Sequence, residues 1–304
     1  MQKLRFKTSK DGAKKHFLGD FCFQNGRLER MKHPVFNDAA LQKKFDVKGY
    51  VILDAFSQEE MNKTVRYMDE LYIESRAAEK HIDSDYDLSF FASSAEYKAR
   101  LREKVSNYFT KFLAETLADY EPLIVNLFFK EPGKGEVPIH QNWTFVDESQ
   151  YTSVSIWMPL CDVSRHNGTL EVIPGTHTTL TPFRSPTIPW VFTGYEEDIK
   201  ARWMQPLTLK LGQIAVLDDA LLHYSGANKS PEARPSIQLI MKPKAAQALH
   251  YYRSKEDVLT VHDVDATFFD TFVQTETPSA PIQKVMPFEY RQATPAQINP
   301  LGKP

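Results

Sequence analysis

Two stretches, Ser153-Val-Ser-Ile-Trp-Met158 and Arg234-Pro-Ser-Ile-Gln-Leu-Ile-Met241, alternate polar and apolar side chains with the period of a β-strand. A strand sends successive side chains to opposite faces. Ser153, Ser155 and Trp157 therefore oppose Val154, Ile156 and Met158, and Arg234, Ser236 and Gln238 oppose Ile237, Leu239 and Met241. A polar strand face ordinarily meets solvent. Here both polar faces carry candidate site residues, which points to the wet interior of an open barrel whose outer face is packed under helices.

The rest of the chain supplies those parts. From Glu121 onward it breaks into short alternating runs separated by Gly, Pro and Asn, the texture of a β-barrel or sandwich. Before that point the signals are mostly helical. Ser57-Gln-Glu-Glu60 is a capping box that predicts a helix running towards Tyr72. Tyr97, Leu101, Val105, Phe109, Phe112 and Leu113 recur at helical spacing and predict a second helix from about Ser94 to Asp119. A short helix is expected around Leu41–Phe45 and a strand at Gly49–Leu53. Asn25-Gly26 is a hairpin turn between Phe21-Cys22-Phe23 and Arg27-Leu28. The expected class is mainly β with flanking helices (α+β), in one domain. Residues 1–120 form an N-terminal hairpin and helical support, 121–245 the β core, and 246–304 a C-terminal extension whose proline-rich tail from about Thr275 runs over the surface. Residues 178–206 hold no clear strand and are expected to be a lid-like insertion.

Composition narrows the function classes. The formal charge of -2 over 304 residues argues against a dedicated nucleic-acid binder. The basic stretch from Lys3 to Lys32 reads as a solvated face. Cys22 and Cys161 are the only cysteines, so reduced thiols are expected rather than a disulfide framework. No apolar run reaches the length of a membrane span, and the N-terminus carries charges where a signal peptide needs an apolar run. The expected location is the cytoplasm.

The chemistry concentrates in a few residues. On a strand His140 and Asn142 would share a face while Gln141 points away. His223, on a later strand, would complete a facial set of three metal ligands. Two histidines and a carboxylate leave open positions on Fe(II) in non-haem oxygenases. Arg234 follows His223 and offers a bidentate guanidinium fork for a carboxylate. Each element alone is a weak signal, since a single histidine or a late-strand arginine is usually structural.

From Gly49 to about Lys242 the chain resembles the phytanoyl-CoA dioxygenase family of Fe(II)- and 2-oxoglutarate-dependent oxygenases. The resemblance rests on GYVILDAFSQEE, NLFFKEPGKGEVPIHQNWTFVDE, SIWMPLCDVSRHNGTLEVIPGTH and LGQIAVLDDALLHYSGANKSPEARPSIQL, in that order. It implies a double-stranded β-helix, of jelly-roll or cupin type. It makes His140, Asn142 and His223 the iron ligands and sets Arg234 on the distal carboxylate of 2-oxoglutarate, with Ser225 and Trp157 lining that pocket. His177 would sit near the rim, and with Arg184 and Trp190 it forms the set expected to meet substrate. The implied activity hydroxylates an unactivated C–H bond of a small organic molecule with dioxygen, while 2-oxoglutarate becomes succinate. Oligomeric state is left open.

Asn142 departs from the family, which has Asp there. An amide oxygen is a neutral and weaker metal donor. Three readings follow: a natural variant that stays active with a weaker ligand set, an engineered change that traps an inactive complex, and a non-catalytic ligand-binding protein on the same fold. Asp147 and Glu148 lie close downstream as substitute carboxylates, although structural salt bridging is the plainer role for them. Family members that halogenate carry Gly or Ala at this position, so halogenation ranks below hydroxylation.

Overall fold

The computed structural model describes residues 33–298 apart from 81, 83, 179–182, 256, 274 and 275, together with strand backbone at 17–18, 21–24 and 27–30. The elements begin with β1 (Phe17–Leu18), β2 (Phe21–Gln24), β3 (Arg27–Arg30), α1 (Ala39–Lys48), β4 (Tyr50–Asp54), α2 (Gln58–Ala77), β5 (Asp87–Leu88) and α3 (Ala95–Thr116). Next come β6 (Tyr120–Lys130), β7 (Val137–His140), β8 (Val154–Pro159), β9 (Leu170–Val172), α4 (Glu196–Trp203), β10 (Gln205–Pro206), β11 (Gln213–Asp218), β12 (His223–Ser225) and β13 (Arg234–Pro243). The C-terminal part holds β14 (Ala248–Lys255), β15 (Val258–Val264), α5 (Ala266–Thr271) and β16 (Ile282–Pro287).

Two sheets make the core. One is six-stranded in the order β4-β11-β8-β13-β6-β5, and the other is four-stranded in the order β10-β9-β12-β7. From β6 to β13 the chain alternates between the sheets, save that β9 and β10 both join the smaller one, as in the jelly-roll form of the double-stranded β-helix. The expected hairpin pairs Phe21 with Arg30 and Gln24 with Arg27, while its Asn25-Gly26 turn lies outside the described residues.

The alternation in β8 and β13 acts as the sequence requires. Val154, Ile156, Met158, Ile237, Leu239 and Met241 are all fully buried in one cluster with Met61, Met68 and Leu71 of α2 and Leu101, Val105 and Phe109 of α3. The opposite face of the same strands carries Ser155, Trp157, Arg234 and Gln238 into a cavity between the sheets. Both helices start where their caps predict. Ser57 and Glu60 close a capping box, and the Ser94 side chain accepts from the Tyr97 N–H. Helix α2 runs five residues beyond the expected Tyr72, and its last two turns bury Tyr72 and Ser75.

The four-stranded sheet is backed differently. Residues 178–206 were expected to form a lid, but none of their described residues lines the cavity. They instead fold α4 and place Val191, Phe192, Ile199 and Met204 against Ile139, Ile173 and Leu222, behind β7 and β12. The apolar content of the insertion is thus consumed as the outer packing layer of that sheet. The C-terminal extension also has more structure than expected. Strand β16 pairs with β15 and completes an antiparallel sheet β14-β15-β16. Among the described residues no helix is long and apolar enough to cross a membrane.

Phe109 has no exposed surface and meets Phe56 edge-on, with ring centroids 5.5 Å apart. Phe109→Ala leaves a cavity between α3 and the large sheet and is expected to cost about 3–5 kcal/mol in a denaturant titration. A loss below about 1 kcal/mol would mean that α3 does not hold the sheet.

Candidate active site

Strands β7 and β12 are antiparallel neighbours, and their register sets His140 directly opposite His223. The two imidazole centroids are 4.1 Å apart. Each ring is oriented in the same way. His140 Nδ1 lies 2.7 Å from the Pro138 carbonyl oxygen and His223 Nδ1 lies 2.8 Å from that of Leu221. A carbonyl only accepts, so Nδ1 carries the proton in both rings and Nε2 keeps its lone pair, the tautomer of a metal-ligating histidine. Burial, and for His223 also the neighbouring His140, pushes the His223 pKa down to about 3. Burial likewise lowers His140.

Asn142, two residues beyond His140, lines the same cavity. Its Nδ2 donates to Ser155 Oγ at 2.9 Å and to Asp219 Oδ1 at 2.8 Å. Both amide hydrogens are thereby used, and Oδ1 is left to face His140, whose hydrogen-bonding environment includes the Asn142 side chain. The site thus offers two imidazole nitrogens and one amide oxygen, a set able to hold a divalent transition metal. Among the described residues no group of three or more His, Cys, Asp or Glu side chains gathers for a metal, because the third place belongs to an amide.

Across the cavity, Arg234 at the start of β13 is almost fully buried. One Nη donates to Ser236 Oγ, the guanidinium carbon lies 5.6 Å from the Trp157 ring centroid, and Nε has no partner. Among the described residues no carboxylate lies within ion-pair distance of it. Burial lowers its pKa only to about 10, so it stays a cation. Ser225 lines the cavity, but its hydroxyl is committed, donating to the Gly168 carbonyl and accepting from Lys130 Nζ.

Lys130 is a site neighbour that the sequence did not single out. It pairs across the ladder with Arg234, has no exposed surface, and donates to Ser225 and to the Gly226 carbonyl. Burial and the adjacent Arg234 push its pKa down to about 6. Asp219 was missed as well, although the pair Asp218-Asp219 stands just before His223. Its carboxyl is fully buried and accepts from Asn142 and Ser155. Burial pushes its pKa up to about 7 against those bonds.

The three residues expected to meet substrate are not in this cavity. His177 is buried between α1 and the sheets, with Nε2 3.2 Å from the Asp46 carbonyl and its ring 6.4 Å from that of Phe45. A Cβ on Gly49, which has φ 77°, would come within 2.5 Å of His177 Nδ1. Arg184 forms a buried ion pair with Glu148 at 2.6 Å and donates from Nε to the Asn142 carbonyl. It therefore fastens the backbone of the site, and Glu148 is a salt-bridging residue rather than a substitute ligand. Trp190 and Arg184 line a neighbouring cavity on the far side of β7, which meets the first only at His140 and Trp143.

The cavity itself measures about 210 Å³. Away from Arg234 its wall is aromatic and aliphatic, with Tyr86, Phe90, Phe91, Phe128, Trp143 and Ile240.

Neutral burial of the histidines has a consequence for stability. An unfolded histidine titrates near 6.5, whereas folded His223 and His250 titrate at about 3 and 4. Below pH 6.5 the unfolded chain binds protons that the folded rings refuse, so stability falls with pH across this window. Asp219 works the opposite way, since its folded value of about 7 exceeds its ordinary 3.8 and its protonation stabilises the fold as pH falls. Two histidines outweigh one carboxyl. The melting temperature of chelator-treated protein is expected to drop between pH 6.5 and 4.5, and a flat profile would contradict buried neutral rings.

Comparison with known proteins adds a family. A family model described as phytanoyl-CoA dioxygenase matches residues 45–236. A phytanoyl-CoA dioxygenase domain-containing protein 1 homolog of Dictyostelium discoideum is 31% identical over 123 residues, 38% of this chain and 44% of that protein. The match thus spans less than half of that relative. Phytanoyl-CoA dioxygenase 1 of Oryza sativa subsp. japonica is 26% identical over 239 residues, 64% of this chain and 85% of that protein. Among solved structures, the epimerase SnoN in complex with Fe3+, alpha ketoglutarate and nogalamycin RO superposes with a TM-score of 0.50. It is 20% identical, and the match covers 69% of this chain and 86% of that one.

Proposed function

The chain belongs to the phytanoyl-CoA dioxygenase family, and from that premise we propose that it is an Fe(II)- and 2-oxoglutarate-dependent oxygenase hydroxylating an unactivated C–H bond of a small, largely apolar molecule. One observation carries the reading. The β7–β12 register opposes His140 and His223, and an unpaired buried Arg234 faces them across the same cavity.

The residues present fit both groups. His140 Nε2, His223 Nε2 and Asn142 Oδ1 would hold Fe(II). The Arg234 fork, with Trp157 beneath it and Ser225 beside it, would hold the distal carboxylate of 2-oxoglutarate. A buried guanidinium without a counter-charge is costly in a finished fold, and a dianionic co-substrate offsets that cost. When bound, iron, 2-oxoglutarate and dioxygen supply the oxidising power, with decarboxylation to succinate. The chain's own part is positioning and exclusion. The Pro138 and Leu221 carbonyls hold the two rings in one tautomer, and the Arg184–Glu148 pair fixes the Asn142 backbone. The wall formed by Phe90, Phe91, Phe128 and Trp143 would seat an apolar body next to the metal and keep water from it. Among the described residues lining the cavity Arg234 is the one lysine or arginine, so they offer no basic cluster for the phosphates of an acyl-CoA. The Asn142 amide fills the third ligand place, which argues against an open halide position.

The same cavity in a non-catalytic protein would bind 2-oxoglutarate without consuming it. Succinate formation from 2-oxoglutarate with added Fe(II) separates the two, and slow turnover is expected even without the natural substrate. Arg234→Met is expected to raise KM for 2-oxoglutarate by roughly 30-fold, from the ~2 kcal/mol lower end for truncating a buried charge pair. Protein that binds Fe(II) yet forms no succinate would sink the oxygenase reading and leave the binding protein.

A further inference from the structure

We infer that Asp219 is the displaced carboxylate of the metal site. It supplies, one hydrogen bond behind Asn142, the negative charge and the orientation that a directly ligating Asp would give. This inference rests on the metal site proposed above.

Three observations support it. First, the hydrogens around Asn142 can be assigned. Ser155 Oγ has one hydrogen and gives it to Asp219 Oδ1 at 2.8 Å. The same oxygen accepts from Asn142 Nδ2 and from Gln238 Nε2. Asn142 Nδ2 gives its second hydrogen to Asp219 Oδ1. With an acceptor there, the amide cannot flip without setting oxygen against oxygen, so Oδ1 is held towards the histidines. Second, Asp219 has no exposed surface, and among the described residues no lysine or arginine lies within ion-pair distance of it. A buried carboxylate of this kind is neutralised either by a proton or by a cation. The metal place next to Asn142 is where one would sit, with the amide polarised between carboxylate and ion. Third, the arrangement explains how Asn is tolerated at position 142. With Asp219 behind it, an Asp at 142 would set two carboxylates in contact, and the pair could not ionise fully. Asn142 and Asp219 therefore work as a unit with one charge between them.

The test moves that charge. Binding of Mn(II) alone, read from the EPR signal of the free ion, is measured for the wild type, Asp219→Asn, Asn142→Asp and the double variant Asn142→Asp/Asp219→Asn. Asp219→Asn keeps the shape and an acceptor for Asn142 but removes the charge. It is expected to weaken Mn(II) binding by about tenfold or more, in the range for outer-shell partners. The same variant is expected to raise the melting temperature of metal-free protein at pH 9, where the carboxyl is ionised, because an unpaired buried charge is gone. A merely structural role for Asp219 would lower both. The double variant restores one carboxylate and is expected to bind at least as tightly as the wild type, with Asn142→Asp alone binding less tightly than the double. Folded Asp219→Asn that binds Mn(II) like the wild type overturns the inference while leaving the metal site standing. A wild-type protein that binds no Mn(II) overturns both.

Discussion

Helices α2 and α3 cover the outer face of the six-stranded sheet, and that contact is what permits the inner face to be polar. Met61, Met68, Leu101, Val105 and Phe109 bury the apolar alternate of every central strand. The remaining alternates, Ser155, Trp157, Arg234 and Gln238, can then line a cavity without emptying the core of apolar area. The smaller sheet uses the same device. Ile139 and Leu222 pack outward on Phe192 and Ile199, and their strand neighbours His140 and His223 turn inward. Two packed outer layers thus hold the strands that carry the site.

The cavity and the side chains directly behind it hold ionisable groups that the protein leaves unbalanced. Arg234 lines the cavity as a buried cation and Asp219 lies one hydrogen bond behind Asn142 as a buried carboxyl, each with no side chain of opposite charge within ion-pair distance among the described residues. Other buried charges have partners of opposite sign, as Arg184 has in Glu148 and Arg102 in Asp270. Each unpaired group is destabilising in the folded chain alone and complementary to a ligand of opposite sign. A dicarboxylate at Arg234 and a divalent metal near Asn142 would meet both needs at once. Sites of catalysis are where such local conflict with stability is expected.

Much of this was legible in the sequence because it is local. The period-two pattern of β8 and β13, the Ser57 and Ser94 caps, and the separate runs around His140 and around His223 depend on neighbours a few residues apart. What escaped notice depends on distant contacts. Asp219 meets Asn142 across 77 positions, and Lys130 meets Ser225 across 95. Arg184, Trp190 and His177 were attractive as polar or aromatic residues near the site in sequence. The ion pair with Glu148, the neighbouring cavity and the contact with α1 take them elsewhere. Residues 178–206 showed no strand period because the described ones serve one short helix, turns and the two-residue strand β10, packed on the small sheet. The departure at Asn142 looked like a defect in the motif, and its compensation was visible only in three dimensions.

A crystal structure of the protein grown anaerobically with Fe(II) and 2-oxoglutarate tests the site most directly. The expected result is an iron anomalous peak bonded to Nε2 of His140 and Nε2 of His223, with the 2-oxoglutarate distal carboxylate on the Arg234 guanidinium. Iron bound away from the histidine pair, or 2-oxoglutarate density that avoids Arg234, would contradict it.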